Sequence, residues 1–200
     1  QEVNYLLEYM WDWERFGRNQ RSNHMRRLCR VYVEFLLGTG IRQGTESMPI
    51  RWKALQWHWI GEQRYLRIWV SGKTGPRYLI ARHFVIEALE RLIAWQALPY
   101  RNLEAVIEAK LDRKVFVFPE GDAPHSLDDV FERLMVESNL LKDATGKNRT
   151  LYSLRHTYAT FALAEGIDIH TLARQMGTST LMIEKHYSKL TPMMAAAKLA

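Results

Sequence analysis

Apolar positions along this 200-residue chain change period twice, which divides it into helical, strand-like and again helical stretches. From 5 to 16 apolar and aromatic residues recur at helical spacing, and Ser22 or Asn23 is placed to cap a second helix running to about 37, where Gly38-Thr39-Gly40 ends it. Between 56 and 80 the pattern turns β-branched, aromatic and alternating. Tyr65-Leu66-Arg67-Ile68-Trp69-Val70, a turn over 71–76 and Arg77-Tyr78-Leu79-Ile80 predict an antiparallel hairpin, with 56–60 as a third strand. Trp52, Trp57, Trp59 and Trp69 are expected to pack around that sheet. Helical spacing returns over 84–98, up to Pro99, and a further short helix is expected at 103–111. Val115-Phe116-Val117-Phe118 is a short apolar run, Ser126-Leu127-Asp128-Asp129 starts a helix to about 141, and 142–149 is a polar loop. The last third reads as helices over 151–164, closed by Gly166, over 169–176, closed by Gly177, and from Thr180 to about 190. The pattern therefore predicts an α+β domain, mainly helical, with a small three-stranded antiparallel sheet.

Composition narrows the chemistry. A hydrophobic content of 47% with seven Trp is enough for one compact domain or one lobe of a longer protein, and a chain that opens on Gln reads as a fragment. The formal charge of +6 favours a polyanionic partner. Cys29 is the single cysteine, which excludes an intrachain disulfide framework and a Cys-based zinc site. No two of the seven His stand at i,i+3 or i,i+4, so no helical metal site is expected. Apolar runs fall far short of the roughly 20 residues a bilayer span needs, so no membrane association is expected.

Four segments carry candidate chemistry: Thr39-Gly40-Ile41-Arg42; Gly72-Lys73-Thr74-Gly75 between two strands; Leu154-Arg155-His156-Thr157-Tyr158-Ala159-Thr160; and Met176-Gly177-Thr178-Ser179 through His186-Tyr187. A phosphodiester carries one negative charge and gathers more on its phosphoryl oxygens in the transition state, so paired arginines suit it. A Tyr hydroxyl can displace an ester oxygen without a metal. Gly72-Lys73-Thr74 is not a nucleotide-binding P-loop, since Arg67 stands where that motif needs Gly and no helix follows. In this order the four segments resemble the first Arg motif, the β-hairpin lysine, the second Arg motif and the nucleophile segment of the tyrosine recombinases, the phage-integrase family, over about residues 30–190.

The resemblance implies a catalytic domain spanning 1–200, with the family's preceding DNA-clamping domain missing from the chain. It implies catalytic roles for Arg42, Lys73, Tyr152, Arg155, Thr178 and Tyr187, in a reaction through a 3′-phosphotyrosyl intermediate that needs no metal, cofactor or ATP. The implied partner is double-stranded DNA, with a homotetramer on DNA and a monomer without it, residues 188–200 docking on a neighbour, and a role for accessory DNA-bending proteins. The implied setting is the bacterial cytoplasm, at the nucleoid. Arg26, Arg27 and Arg30, on one helical face, and Arg77 are candidate contacts to the DNA backbone. Glu46, four residues after Arg42, is a candidate orienting partner for it.

Two positions depart from the family. It usually has His three residues before the second Arg, where this chain has Tyr152, and His or Trp nine residues before the nucleophile, where it has Thr178. Neither hydroxyl is a good proton acceptor near neutral pH. His156 and His186 each adjoin a matched residue and are expected on other sides of their helices. Two rival readings follow: a type IB topoisomerase-like relaxing enzyme with the same chemistry, and a DNA-binding protein of this fold that has lost the reaction.

Overall fold

A computed structural model describes residues 1–187 of the chain. The expected docking segment 188–200 lies outside the described residues. Helix α1 (Glu2–Trp13) buries Leu6, Met10 and Trp13, the spacing of one helical stripe. Helix α2 (Gln20–Thr39) begins earlier than the sequence suggests, because extended Asn19 accepts a hydrogen bond from the Ser22 N–H and caps it. From Leu28 to Thr39 every residue of α2 is buried, so this helix is the axis of the fold. Gly40 ends it at φ +64°, and the Tyr158 ring lies so close above Gly40 that a Cβ there would overlap it.

Strands β1 (Leu55–Ile60), β2 (Gln63–Gly72) and β3 (Gly75–Ile80) form an antiparallel sheet in that order. Ile68 pairs with Leu79 and Gly72 with Gly75, which leaves Lys73 and Thr74 as a two-residue turn at the tip. Leu66, Ile68 and Val70 face the core, so alternation turns Trp69 to the outer face. The tryptophan expectation is corrected accordingly. Trp52 is fully buried, but Trp69 is 42% exposed and Trp59, next to the turn that joins β1 to β2, is 56% exposed.

Helices α3 (Phe84–Trp95), α4 (Leu103–Glu108) and α5 (Asp128–Glu137) cover the remainder of the main core. The run Val115 to Phe118 is buried without forming a strand. There the Gln96 side-chain amide donates to the Val115 and Val117 carbonyls at 2.8 and 2.9 Å, satisfying the backbone in place of a β-ladder. Helices α6 (Leu151–Ala164), α7 (Ile169–Met176) and α8 (Thr180–Tyr187) follow. Tyr158, Ala162, Leu172, Met176, Ile183 and Tyr187 make a second, smaller core among them. Helix α8 buries Ile183 and Tyr187 there, which supplies about 1.5–3 kcal/mol per side chain before the cost of ordering them. No helix among the described residues is long and apolar enough to cross a membrane.

Candidate active site

The site is organised by the C-terminal end of α7. Asp168 caps the start of that helix, and Gly177 turns the chain off it at φ +64°. A helix that ends leaves its last carbonyls without intrahelical donors, and the partial negative charge collected there attracts cations. Three arginines from three elements fill this role. Arg77, on β3, donates to the Gln175 carbonyl at 3.3 Å and the Met176 carbonyl at 3.1 Å. Arg155, on α6, donates to the Met176 carbonyl at 2.7 Å and also to the Gly40 carbonyl. Arg42, just past α2, donates to the Gly177 carbonyl at 2.6 Å. The same oxygen accepts from the Thr74 hydroxyl at 3.1 Å, which ties the hairpin tip to the cluster.

Glu46, its side chain closed off from solvent, joins two of the three, accepting from Arg42 at 2.5 Å and from Arg77 at 2.8 Å. Burial alone would raise the Glu46 carboxyl, but the hydrogen bonds and charges of Arg77 and Arg42 outweigh it and hold the carboxyl below its ordinary range. The loop carrying Arg42 is braced from beneath. Tyr32 lies 2.6 Å from the Ser47 hydroxyl and accepts from the Gly44 N–H at 2.9 Å, while Ser47 donates to the Arg42 carbonyl at 3.0 Å. Gln175 fixes α7 to the sheet edge, since its amide accepts from the Ile80 N–H at 2.9 Å and donates to the Ile80 carbonyl at 2.7 Å.

Arg155 is buried beside a like charge. Burial, then the neighbouring charge of Arg42, pushes its pKa down to about 10. An anion seated between the two guanidinium groups would relieve that repulsion. Beside them Tyr152, Arg155, His156, Met176, Thr178 and Tyr187 line a shallow pocket of about 30 Å³, the scale of one small group rather than of a whole ligand. Tyr187 is buried, and its pKa is pushed up to about 12 by burial and by Tyr152, against the pull of Arg155.

The structure thus brings Arg42, Glu46, Arg155, Thr178 and Tyr187 to one place. Tyr152 stands at the rim, 48% exposed. Lys73 is exposed at the hairpin tip, beside the tethered Thr74. The expectations for five residues are corrected. The Arg26 and Arg30 side chains are 7% and 4% exposed and turned inward. Arg26 bonds Glu137 and the Trp13 carbonyl, and Arg30 bonds Glu14 and stacks on Trp11. Arg27 is half-exposed and pairs with Glu14. No outward basic face therefore exists on this part of α2. Arg77 is equally engaged, with Glu46 and the end of α7, and organises the site from within. Finally, His156 does not point away: its Nδ1 lies 2.5 Å from the Tyr187 hydroxyl oxygen. Helix α8, packed on α7, brings the Tyr187 hydroxyl to His156 of α6, a tertiary effect that spacing within α6 does not reveal.

No protein-family model and no curated protein sequence matches the chain. Solved structures do. A XerH site-specific recombinase bound to a palindromic difH substrate, in a post-cleavage complex, aligns with a TM-score of 0.66 at 19% identity, over 98% of this chain and 50% of that one. The same recombinase in a pre-cleavage complex gives 0.64 at 20%, over 100% and 51%. The Tn1549 transposon integrase in complex with circular intermediate DNA gives 0.62 at 20%, over 100% and 62%. The chain therefore spans about half the length of the XerH chains. It has the fold of the tyrosine-recombinase catalytic domain.

Proposed function

We propose that the chain is the catalytic lobe of a tyrosine-type site-specific DNA recombinase or integrase, which cleaves and rejoins DNA strands through a 3′-phosphotyrosyl intermediate. One observation carries this reading. Arg42 and Arg155, with Arg77 behind them, converge on the end of α7 beside Tyr187, and Glu46 is the carboxylate that bonds the cluster. Cations held by neutral carbonyls keep their charge available to an anion, and a phosphodiester in an in-line displacement is the anion that a neighbouring tyrosine could attack.

In this reading Arg42 and Arg155 neutralise the phosphoryl oxygens as charge builds on them. Lys73, on its tethered hairpin, protonates the departing 5′ oxygen. Tyr152 and Thr178 donate hydrogen bonds to the phosphate. Tyr187 sits against its own chain's Arg155, which supports cleavage in cis. The partner is double-stranded DNA and the working assembly a homotetramer on two duplexes, in the bacterial nucleoid. Tyr152 and Thr178, at the two places where the family usually has stronger proton carriers, favour the binding-only reading as the second.

The test uses the full-length protein with nicked duplexes tiled across the junction between the mobile element and its host, where the broken end diffuses away and leaves any covalent intermediate trapped. A protein–DNA adduct on a denaturing gel with wild type, absent with Tyr187→Phe, is the expected result. A clear shift on a native gel without any adduct would select the binding-only protein.

A further inference from the structure

Resting on that reading, we propose that His156 is the catalytic base of the reaction, taking the proton of Tyr187 as the tyrosine attacks, the duty for which neither Tyr152 nor Thr178 is suited. The contact itself is the first argument. The Tyr187 hydroxyl oxygen lies 2.5 Å from His156 Nδ1, inside the reach a general base needs, and in the tautomer with the proton on Nε2 the hydroxyl donates to Nδ1. The ring is held in place on both sides, with Tyr152 edge-on at 5.0 Å and His186 edge-on at 5.7 Å.

The surroundings keep the acceptor neutral. Tyr152 and Arg155 face His156 from α6, His186 and Tyr187 face it from α8, and Thr178 and Met176 line the same pocket from the end of α7. No carboxylate stands among these groups to hold the ring as a cation. Burial, then His186 and Arg155, lowers the His156 pKa from its ordinary value, so its lone pair is free at pH 7. The nucleophile needs such help. With its pKa pushed up to about 12, Tyr187 is ionised in only about one molecule in 10⁵ at neutral pH.

The step balances as follows. The Tyr187 oxygen forms its bond to phosphorus while its proton passes to Nδ1, making imidazolium. The P–O5′ bond breaks, its electron pair leaves with O5′, and O5′ takes a proton from Lys73, which becomes the neutral amine. Resealing reverses both transfers: Lys73 accepts the proton of the attacking 5′ hydroxyl and His156 returns its own to the tyrosine. No oxidant, metal or nucleotide enters.

The test measures adduct formation against pH on the nicked junction duplexes, with native-gel binding measured alongside. The wild-type rate is expected to rise as pH climbs through the lowered His156 pKa and then level off. His156→Asn puts an amide oxygen near the place of Nδ1, so it keeps the hydrogen bond and cannot take the proton. Its rate is expected to fall by about 10²-fold or more, with the acid limb gone and DNA binding intact. His156→Gln, a second polar replacement on the same helix, is expected to behave alike and guards against a defect peculiar to Asn. A His156→Asn protein that reacts at the wild-type rate, or that slows but keeps the acid limb, overturns the assignment while leaving the recombinase reading standing. Wild type that binds the duplex and forms no adduct at any pH overturns both.

Discussion

Among the described residues, two largely buried arginine clusters solve the same problem in opposite ways. At the N-terminal half of α2, Arg26, Arg27, Arg30 and Arg91 pair with Glu137, Glu14 and Glu34, so four cations meet three carboxylates. Tryptophan faces cover what is left: Arg30 lies 3.8 Å above Trp11, and Arg26 lies 4.4 Å from Trp13. At the end of α7, Arg42 and Arg77 share Glu46, and all their other bonds, like both of those of Arg155, go to backbone carbonyls. The first cluster is nearly neutral and serves as scaffold. The second satisfies its hydrogen bonds without cancelling its charge; burial, and then the charge of Arg42, lowers the pKa of Arg155. A count of buried arginines would not separate them; the nature of their acceptors does.

Cutting one arginine from each cluster should separate them most sharply. Arg155→Ala is expected to slow adduct formation by about 10³-fold while native-gel affinity falls far less, because its charge acts mostly on the transition state. Arg30→Met keeps the apolar stem against Trp11 and leaves Glu14 its bond to Arg27, so it is expected to lower the melting temperature and leave the adduct rate per folded molecule unchanged. Equal losses of rate in the two variants at matched folded fraction would abolish the distinction drawn here.

Glu46→Gln tests the one carboxylate that links the site's arginines. Removing its charge leaves Arg42 and Arg77 with neutral acceptors only, and breaking a buried pair costs about 3 kcal/mol at pH 7. The pH signature follows from the sign of the shift. The Glu46 carboxyl titrates below its unfolded value, so its contribution is complete above that value and is lost as pH falls through the lower, folded one. Urea midpoints measured from pH 7 down to pH 3 should converge for wild type and Glu46→Gln at the acid end. The adduct rate of the variant is expected to fall about 10–100-fold, since Arg42 keeps its bond to Gly177 and loses its other anchor.

Much of this architecture was legible beforehand, for identifiable reasons. Alternation marked the three strands, and Gly166 and Gly177 marked the helix ends because those positions require positive φ. The segments around Arg42, Arg155 and Tyr187 singled these side chains out, and the fold places them beside one another. The inward turn of Arg26 and Arg30 was not, since a helix buried on all sides has no polar face for periodicity to find, and arginine stems pack on tryptophan as apolar groups do. The gathering of three arginines at the carbonyls of 175–177 was equally hidden: it depends on where one helix stops against a sheet edge and two other elements. His156 was misread by treating α6 as though no side chain from another helix reached it. Each of these misses concerns a partner far away in sequence.

The smallest expected effect falls at the edge of the charged cluster. Thr178 begins the turn between α7 and α8, its N–H donating to the Ala173 carbonyl at 2.9 Å, and its side chain lines the pocket beside Arg155 and Tyr187. Thr178→Val preserves that backbone bond and nearly all the volume while deleting one hydroxyl. A hydroxyl donating to the charged phosphate oxygen speeds the reaction only by the part of that bond that strengthens in the transition state, about 0.5–1.5 kcal/mol, so the adduct rate should drop by about 2–10-fold with the melting temperature almost unchanged. A loss as deep as that of Arg155→Ala would mean that charge is not what sets the α7 cluster apart, and that the hydroxyl carries a proton. An unchanged rate would leave catalysis to the arginines, Lys73, His156 and Tyr187. The graded order Arg155, Glu46, Thr178 is therefore itself the test: it should follow how directly each side chain governs the positive charge at the phosphate, Arg155 by carrying it and Glu46 by anchoring Arg42, and not burial, since Glu46 is the most buried of the three.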